Sequence, residues 1–319
     1  MNLLEIYKEL KKDIQHIEEE IHGVLDTQQK ELKRASVHLL NAGGKRIRPV
    51  FVLLGGKNGQ YDIDRLAHVA VALELIHMAT LVHDDVVDHA DTRRGKPTVK
   101  AKWNNKMAMY TGDYIISKAL QRLTAIDNPL VHQILSKAIV DMCMGEVEQI
   151  KAQYEWNQTM RQYFLRIKRK TALLMAVSCQ LGGLAGHVSE QEARALYRFG
   201  YYVGMAFQIT DDILDFTGTE KQLGKPAGSD LMQGNITLPV LACFHDHEVR
   251  QEIITEASKH QPDMERVIQI VKLNGGIQYA NQIAQRYLAK ARQSIHTLSN
   301  SRSQDMFYKI TQFVEQRHF

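Results

Sequence analysis

The sequence predicts an all-α protein, a single bundle of roughly ten or more helices joined by short connections. Three observations predict it. Prolines number only six (Pro49, Pro97, Pro129, Pro226, Pro239 and Pro262), and none falls between Pro129 and Pro226. Proline stops helices, so that gap permits long ones. Apolar residues recur at helical spacing in "DRLAHVAVALELIHMATLVHDDVVD" and "ALYRFGYYVGMAFQITDDILD", whereas alternating strand-like segments are scarce. The breaks are short and glycine- or proline-marked: "NAGGKRIRPV", "GGKNGQ", "DTRRGKPT", "DNP", "LGGLAGH", "TGTEKQLGKPAGSD" and "LNGG". No composition shift divides the chain, so residues 1–319 read as one domain.

Taken in order, residues 1–25 predict an amphipathic helix. Leu3, Tyr7, Leu10, Ile14, Ile17, Ile21 and Val24 step by alternating four and three, an apolar stripe about three heptads long. Such a stripe either packs on the protein's own body or docks a partner. The N-terminus has no apolar core of signal-peptide length, and no run of eighteen apolar residues exists, so neither export nor a membrane span is expected. The composition, with 44% apolar and 24% charged residues, is that of a globular protein. A net charge of +4 without a dense basic tract excludes a nucleic-acid binder. Cys143, Cys179 and Cys243 are widely spaced and form no CxxC pair, which predicts buried thiols in a reducing cytoplasm.

Two acidic clusters carry the chemistry. Asp84, Asp85 and Asp88 close the first apolar helix; Asp211, Asp212 and Asp215 repeat the spacing 127 residues later (211 − 84). Residues four apart share a helix face, so like charges there repel and weaken the helix unless a cation answers them. Carboxylates ending apolar helices suggest a lined cavity, and two such helices facing each other would make a mouth that needs cations. Oxygen-only ligands favour Mg²⁺ over zinc, in sites completed by waters and substrate phosphates. Basic residues lie in the flanking breaks: Lys45, Arg46 and Arg48 in "GGKRIRP", Arg93 and Arg94 after the first cluster, Lys170 and Thr171 in "RKT", and Lys225 in "LGKPAGSD". Arginine's fork suits phosphate oxygens, and lysine serves as a point charge.

The ordered set "GGKRIRP", "LELIHMATLVHDDVVDHADTRRGKPT", "GDY", "RKTA", "GMAFQITDDILDF" and "GKPAGSDLMQGNITLP" resembles the trans-isoprenyl diphosphate synthases over nearly the whole chain. Within that family the likeness is greatest to the large catalytic component of bacterial two-component hexaprenyl or heptaprenyl diphosphate synthases, whose product supplies the menaquinone side chain. The resemblance implies an all-α bundle around a central cavity. It implies condensation of isopentenyl diphosphate with an allylic diphosphate such as farnesyl diphosphate, aided by Mg²⁺. It further implies metal ligation by Asp84, Asp88 and Asp211, with Asp85, Asp212 and Asp215 in support. Arg93, Lys170 and Lys225 are expected on the allylic diphosphate, and Lys45, Arg48, His77 and Arg94 on isopentenyl diphosphate. Thr171 and Gln208 are expected beside the allylic carbons. The implied partner is a smaller, non-homologous subunit, with a homodimer as the other arrangement.

One departure stands out: Asn235 in "GNITLP" replaces a lysine that many members carry, which removes a cation from the diphosphate site. Three competing readings remain at this stage. A shorter-chain farnesyl or geranylgeranyl synthase would share every motif. An HD-type metal-dependent phosphohydrolase would use His83 and Asp84 with His68, His77 or His89, but leaves "DDILD" and "GGKRIRP" unexplained. A terpene cyclase would share the first acidic motif but not the second.

Overall fold

The computed structural model describes residues 3–219 and 226–316. Most of them are helical. The strand structure among the described residues is one two-stranded hairpin, Thr92–Arg93 against Lys96–Pro97, which falls in a predicted break. The described residues form two compact units, one of residues 3–134, 178–197 and 298–306, the other of 135–177, 198–219, 226–297 and 307–316.

The first unit is built on the helix Ile63–Val87. Asp62 caps it, its side chain accepting from the backbone amides of Asp64 and Arg65 at 3.1 and 3.2 Å. The helix is apolar almost all round, and a helix of that kind belongs in a core. Leu66, Ala67 and the run from Val69 to Leu73 are fully buried. By length and composition it could cross a bilayer, but 72% of its apolar window is buried inside the protein. Helices Asn105–Leu123, Ile47–Gly56 and Lys11–Val24 pack around it.

Two sequence expectations change here. The predicted helix over 1–25 is two helices, Leu3–Glu9 and Lys11–Val24, broken at Leu10. The stripe keeps its register at Leu10, Ile17 and Ile21, which are buried, with Ile6 and Leu25 buried in place of Tyr7 and Val24. They pack on the protein's own helices, which overturns the partner-docking reading of that stripe. The predicted break at "LGGLAGH" starts later than its first glycines: helix Leu173–Ala185 runs through Gly182 and Gly183, and the turn falls at Gly186 and His187. Glycine is there for close approach, since a Cβ on Gly182 would stand 2.2 Å from the Val52 carbonyl oxygen.

The second unit packs helices Met160–Ile167, Leu238–Cys243, Met264–Leu273 and Gly276–Ile295 around a core that includes Tyr163, Ile209, Ile236, Leu238, Val267 and Ala284. Cys179 and Cys243 are buried as expected, whereas Cys143 is exposed.

Candidate active site

In the first unit the acidic triplet divides by face. Asp85 is 2% exposed and accepts from Arg93 Nε at 2.8 Å and Nη2 at 2.7 Å. Burial pushes its carboxyl above the usual range, against the pull of Arg93. Asp84 is partly exposed and Asp88 exposed, one turn apart on the other face, with the Asp88 amide donating to the Asp84 carbonyl at 2.7 Å. The end of this helix rests on Asn105–Leu123 through His83. A Cβ on Gly112 would stand 2.2 Å from His83 Nε2, which gives the glycine of "GDY" its reason.

Beside these acids lies a cluster of cations. The hairpin turns through Arg94 and Gly95, both at positive φ (53° and 74°), as a two-residue type I′ turn requires. The turn carries the Arg94 guanidinium to within 2.8 Å of where a Cβ on Gly44 would stand; Arg46 comes to within 3.1 Å of the same point. Arg46, also left-handed (φ 47°), is 8% exposed and donates to Glu74 at 3.0 Å and Glu18 at 3.3 Å. Arg48 stands in the first turn of Ile47–Gly56 with a buried Nε that has no hydrogen-bond partner. Burial pushes Arg48 down to about 10, against the pull of Glu74. His77 is driven well below its ordinary value, first by burial and then by the charges of Arg48, Arg94, Arg93 and Arg46. It is therefore neutral and lies among arginines. Lys45 is exposed, at the start of this stretch.

In the second unit Lys170 and Thr171 lie in a single π-turn, Lys168–Ala172, between helices Met160–Ile167 and Leu173–Ala185. Such turns re-aim side chains and recur at functional sites. Lys170 Nζ is 3.2 Å from Glu146. The Thr171 hydroxyl donates to Gln208 Oε1 at 2.7 Å, and the Gln208 amide donates to Asp212 at 2.9 Å. The Tyr163 hydroxyl donates to the other Asp212 oxygen at 2.6 Å. Burial pushes Asp212 up to about 7, against these hydrogen bonds. Asp215, 1% exposed, accepts from the Ser229 hydroxyl at 3.0 Å and the Asp230 amide at 3.2 Å. Of this triplet only Asp211 is not fully buried. Asn235 is partly buried, its amide donating to the Asp230 carbonyl at 2.8 Å. Lys225 lies outside the described residues.

Among the described residues no three His, Cys, Asp or Glu side chains gather closely enough to hold a metal by themselves. That removes the convergent histidines a phosphohydrolase reading needs. A pair of solvent-accessible carboxylates one turn apart, the partly exposed Asp84 and the exposed Asp88, does fit a hard divalent cation that completes its shell with water and substrate oxygens. The structure also adds residues that sequence reasoning did not single out. Glu146 and Tyr163 had no signal. Glu74 had one, a carboxylate inside an apolar helix.

The polyprenyl synthetase family model matches residues 29–273. The chain belongs to the polyprenyl synthetase family. The heptaprenyl diphosphate synthase component 2 of Geobacillus stearothermophilus is 51% identical over 320 residues, covering 100% of both chains. The crystal structure of heptaprenyl diphosphate synthase from Staphylococcus aureus is 39% identical with a TM-score of 0.90, covering 97% of this chain and 99% of that one. A polyprenyl synthase from Caulobacter crescentus CB15, complexed with calcium and isoprenyl diphosphate, is 27% identical with a TM-score of 0.90 and coverages of 98% and 97%. This polyprenyl synthetase is thus a trans-prenyltransferase that lengthens a prenyl diphosphate by condensation with isopentenyl diphosphate.

Proposed function

We propose that the chain is the catalytic component of a two-component synthase. It extends farnesyl diphosphate with isopentenyl diphosphate to a heptaprenyl or hexaprenyl diphosphate, in the cytoplasm, as the menaquinone side chain, and residues 1–319 act as one catalytic domain. The observation that carries the site assignment is the split of each acidic motif. Asp85, Asp212 and Asp215 are buried on protein partners, which leaves Asp84, Asp88 and Asp211 at the accessible positions. The product length rests on the 51% identity to a heptaprenyl diphosphate synthase component 2.

Asp84, Asp88 and Asp211 hold Mg²⁺; bound there, the divalent cation neutralises the charge that develops on the departing diphosphate. Calcium in the Caulobacter crescentus relative supports a hard divalent ion. Arg93, Lys170 and Lys225 hold the allylic diphosphate as its C–O bond breaks. Lys45, Arg48, His77 and Arg94 hold isopentenyl diphosphate, and the unpartnered Arg48 Nε supplies a donor that awaits an acceptor. Thr171 spends its proton on Gln208, so its oxygen lone pairs remain to face the allylic cation. The double bond of isopentenyl diphosphate attacks that cation, and the proton then lost passes to the released diphosphate.

The partner is a smaller, non-homologous subunit, as the name component 2 of the relative supports. Its docking surface is the stripe Val140, Met144, Val147 and Ile150 on helix Pro129–Ala152, left exposed by the described residues. The test incubates the purified chain, alone and with that subunit, with labelled isopentenyl diphosphate, farnesyl diphosphate and Mg²⁺, and sizes the products. Six- or seven-unit product that requires the subunit is expected. Full-length product from the isolated chain makes it a homodimer instead, and phosphate release without C–C bond formation overturns the reading.

A further inference from the structure

The two N-terminal helices touch the cationic loop at two points. The Tyr7 hydroxyl donates to the Lys45 carbonyl oxygen. The Glu18 carboxylate accepts from Arg46 Nε at 3.3 Å. Between them lies Arg46, a non-glycine residue in the left-handed region (φ 47°), three residues after the left-handed Gly43 and immediately before helix Ile47–Gly56. A side chain in that region persists only where its surroundings over-determine it. Here the surroundings are Glu18, the buried Glu74 at 3.0 Å and the Leu40 carbonyl at 3.4 Å. Holding Arg46 fixes its neighbours in the chain, Lys45 on one side and Arg48 two residues on.

We propose that Tyr7 and Glu18 are positioning residues for isopentenyl diphosphate. Through the Lys45 carbonyl and Arg46 they hold the segment from Gly43 to Arg48 in the conformation that presents its cations to the diphosphate. The N-terminal helices are then part of the substrate site, not only a cover on the core. The inference rests on the assignment of Lys45 and Arg48 to isopentenyl diphosphate. Burial, with the charge of Glu74 adding, pushes the Tyr7 hydroxyl up to about 12, so it stays a proton donor across the working range. Tyr7 and Glu18 are only partly buried, whereas Ile6, Leu10, Ile17 and Ile21 form the core of these helices, so either contact can be removed without opening it.

The test measures KM for isopentenyl diphosphate, KM for the allylic primer, kcat and Tm in Tyr7→Phe, Glu18→Ala and their double variant, using the full chain with its partner subunit. The double variant is expected to raise KM for isopentenyl diphosphate roughly tenfold, from the loss of two hydrogen bonds, one of them to a charged group. The other three quantities should stay near their original values. Glu18→Gln keeps an acceptor for Arg46 and should restore most of the single-variant loss. Equal losses in kcat and in both KM values, tracking a lowered Tm, would show a merely structural role and overturn the proposal. Lys45→Ala and Arg48→Ala separate the layers. If they raise KM for isopentenyl diphosphate and the Tyr7 and Glu18 variants do not, the positioning role is wrong and the assignment stands. If they leave it unchanged, the assignment itself is wrong.

Discussion

The two acidic motifs look alike residue by residue, yet their members sit in opposite environments. Asp84 and Asp88 repel each other at one-turn spacing and face outward, so alanine there relieves repulsion while removing metal ligands. Asp84→Ala and Asp211→Ala should each lower kcat by roughly 10³-fold, the scale of several kcal/mol of leaving-group stabilisation, with Tm unchanged or raised. Asp212→Ala should lower Tm, because it strands the buried Tyr163 hydroxyl and the Gln208 amide, at about 1–3 kcal/mol for such unsatisfied groups. Thermal melts with saturating-substrate rates distinguish the two classes. His77 gives a pH signature. Its folded pKa lies below its unfolded value near 6.5, so it contributes stability that is present above that value and lost as pH falls through the folded value. Melts between pH 7 and 5 should show the original chain losing stability more steeply than His77→Gln, by at most about 1.4 kcal/mol per pH unit for one proton.

At the scale of elements, close approaches decide where the helices sit. Helix Ile47–Gly56 meets Leu173–Ala185 at glycines, and a Cβ on Gly55 would stand 2.4 Å from the Cys179 carbonyl oxygen. The obstacle is backbone and cannot move aside. Gly182→Ala should therefore cost about 1–3 kcal/mol or more by overpacking, seen as a lowered Tm. Gly112 differs, because its obstacle is the His83 ring. Gly112→Ala should displace that ring and the turn that carries Asp84, lowering kcat and weakening Mg²⁺ activation. His83→Ala placed on top should recover part of the loss by reopening the space, whereas additive losses would show that the seat does not position the acidic turn.

At the scale of the molecule, product length depends on how far an apolar tail runs from the acidic turn. Thr80 is partly exposed and lies one turn before Asp84, its hydroxyl donating to the His77 carbonyl at 2.8 Å. An aromatic there stops a tail within about one turn, roughly 5 Å, so Thr80→Phe should shorten the product to farnesyl or geranylgeranyl size. Ala79, beside it in sequence, is fully buried and touches no open space. Ala79→Tyr should destabilise the chain instead of trimming the product. Product sizing and melts of both variants test this, and an unchanged product in Thr80→Phe would show that the tail runs elsewhere. Assembly is tested on the stripe of helix Pro129–Ala152: Met144→Lys with Val147→Lys should abolish co-elution with the smaller subunit while Tm holds, since both side chains are exposed.

The sequence by itself determined the helical class, the acidic motifs and the run of basic loops. Helical periodicity and i, i+4 spacing are local properties, and the ordered motifs identify the family without any contact being known. Tertiary structure alone decided which aspartate of each motif faces in, because burial of Asp212 depends on Tyr163, distant in sequence, and the pairing of Arg93 with Asp85 and of Gln208 with Asp212 shows only in the fold. It decided that the N-terminal stripe packs inward and that "LGG" continues a helix. A glycine reads locally as a break, and only the neighbouring Val52 backbone shows it to be a close contact. The π-turn at Lys170 and Thr171 and the left-handed Arg46 belong to the same class. Each is a locally unfavourable conformation that packing imposes, so no local pattern could announce it.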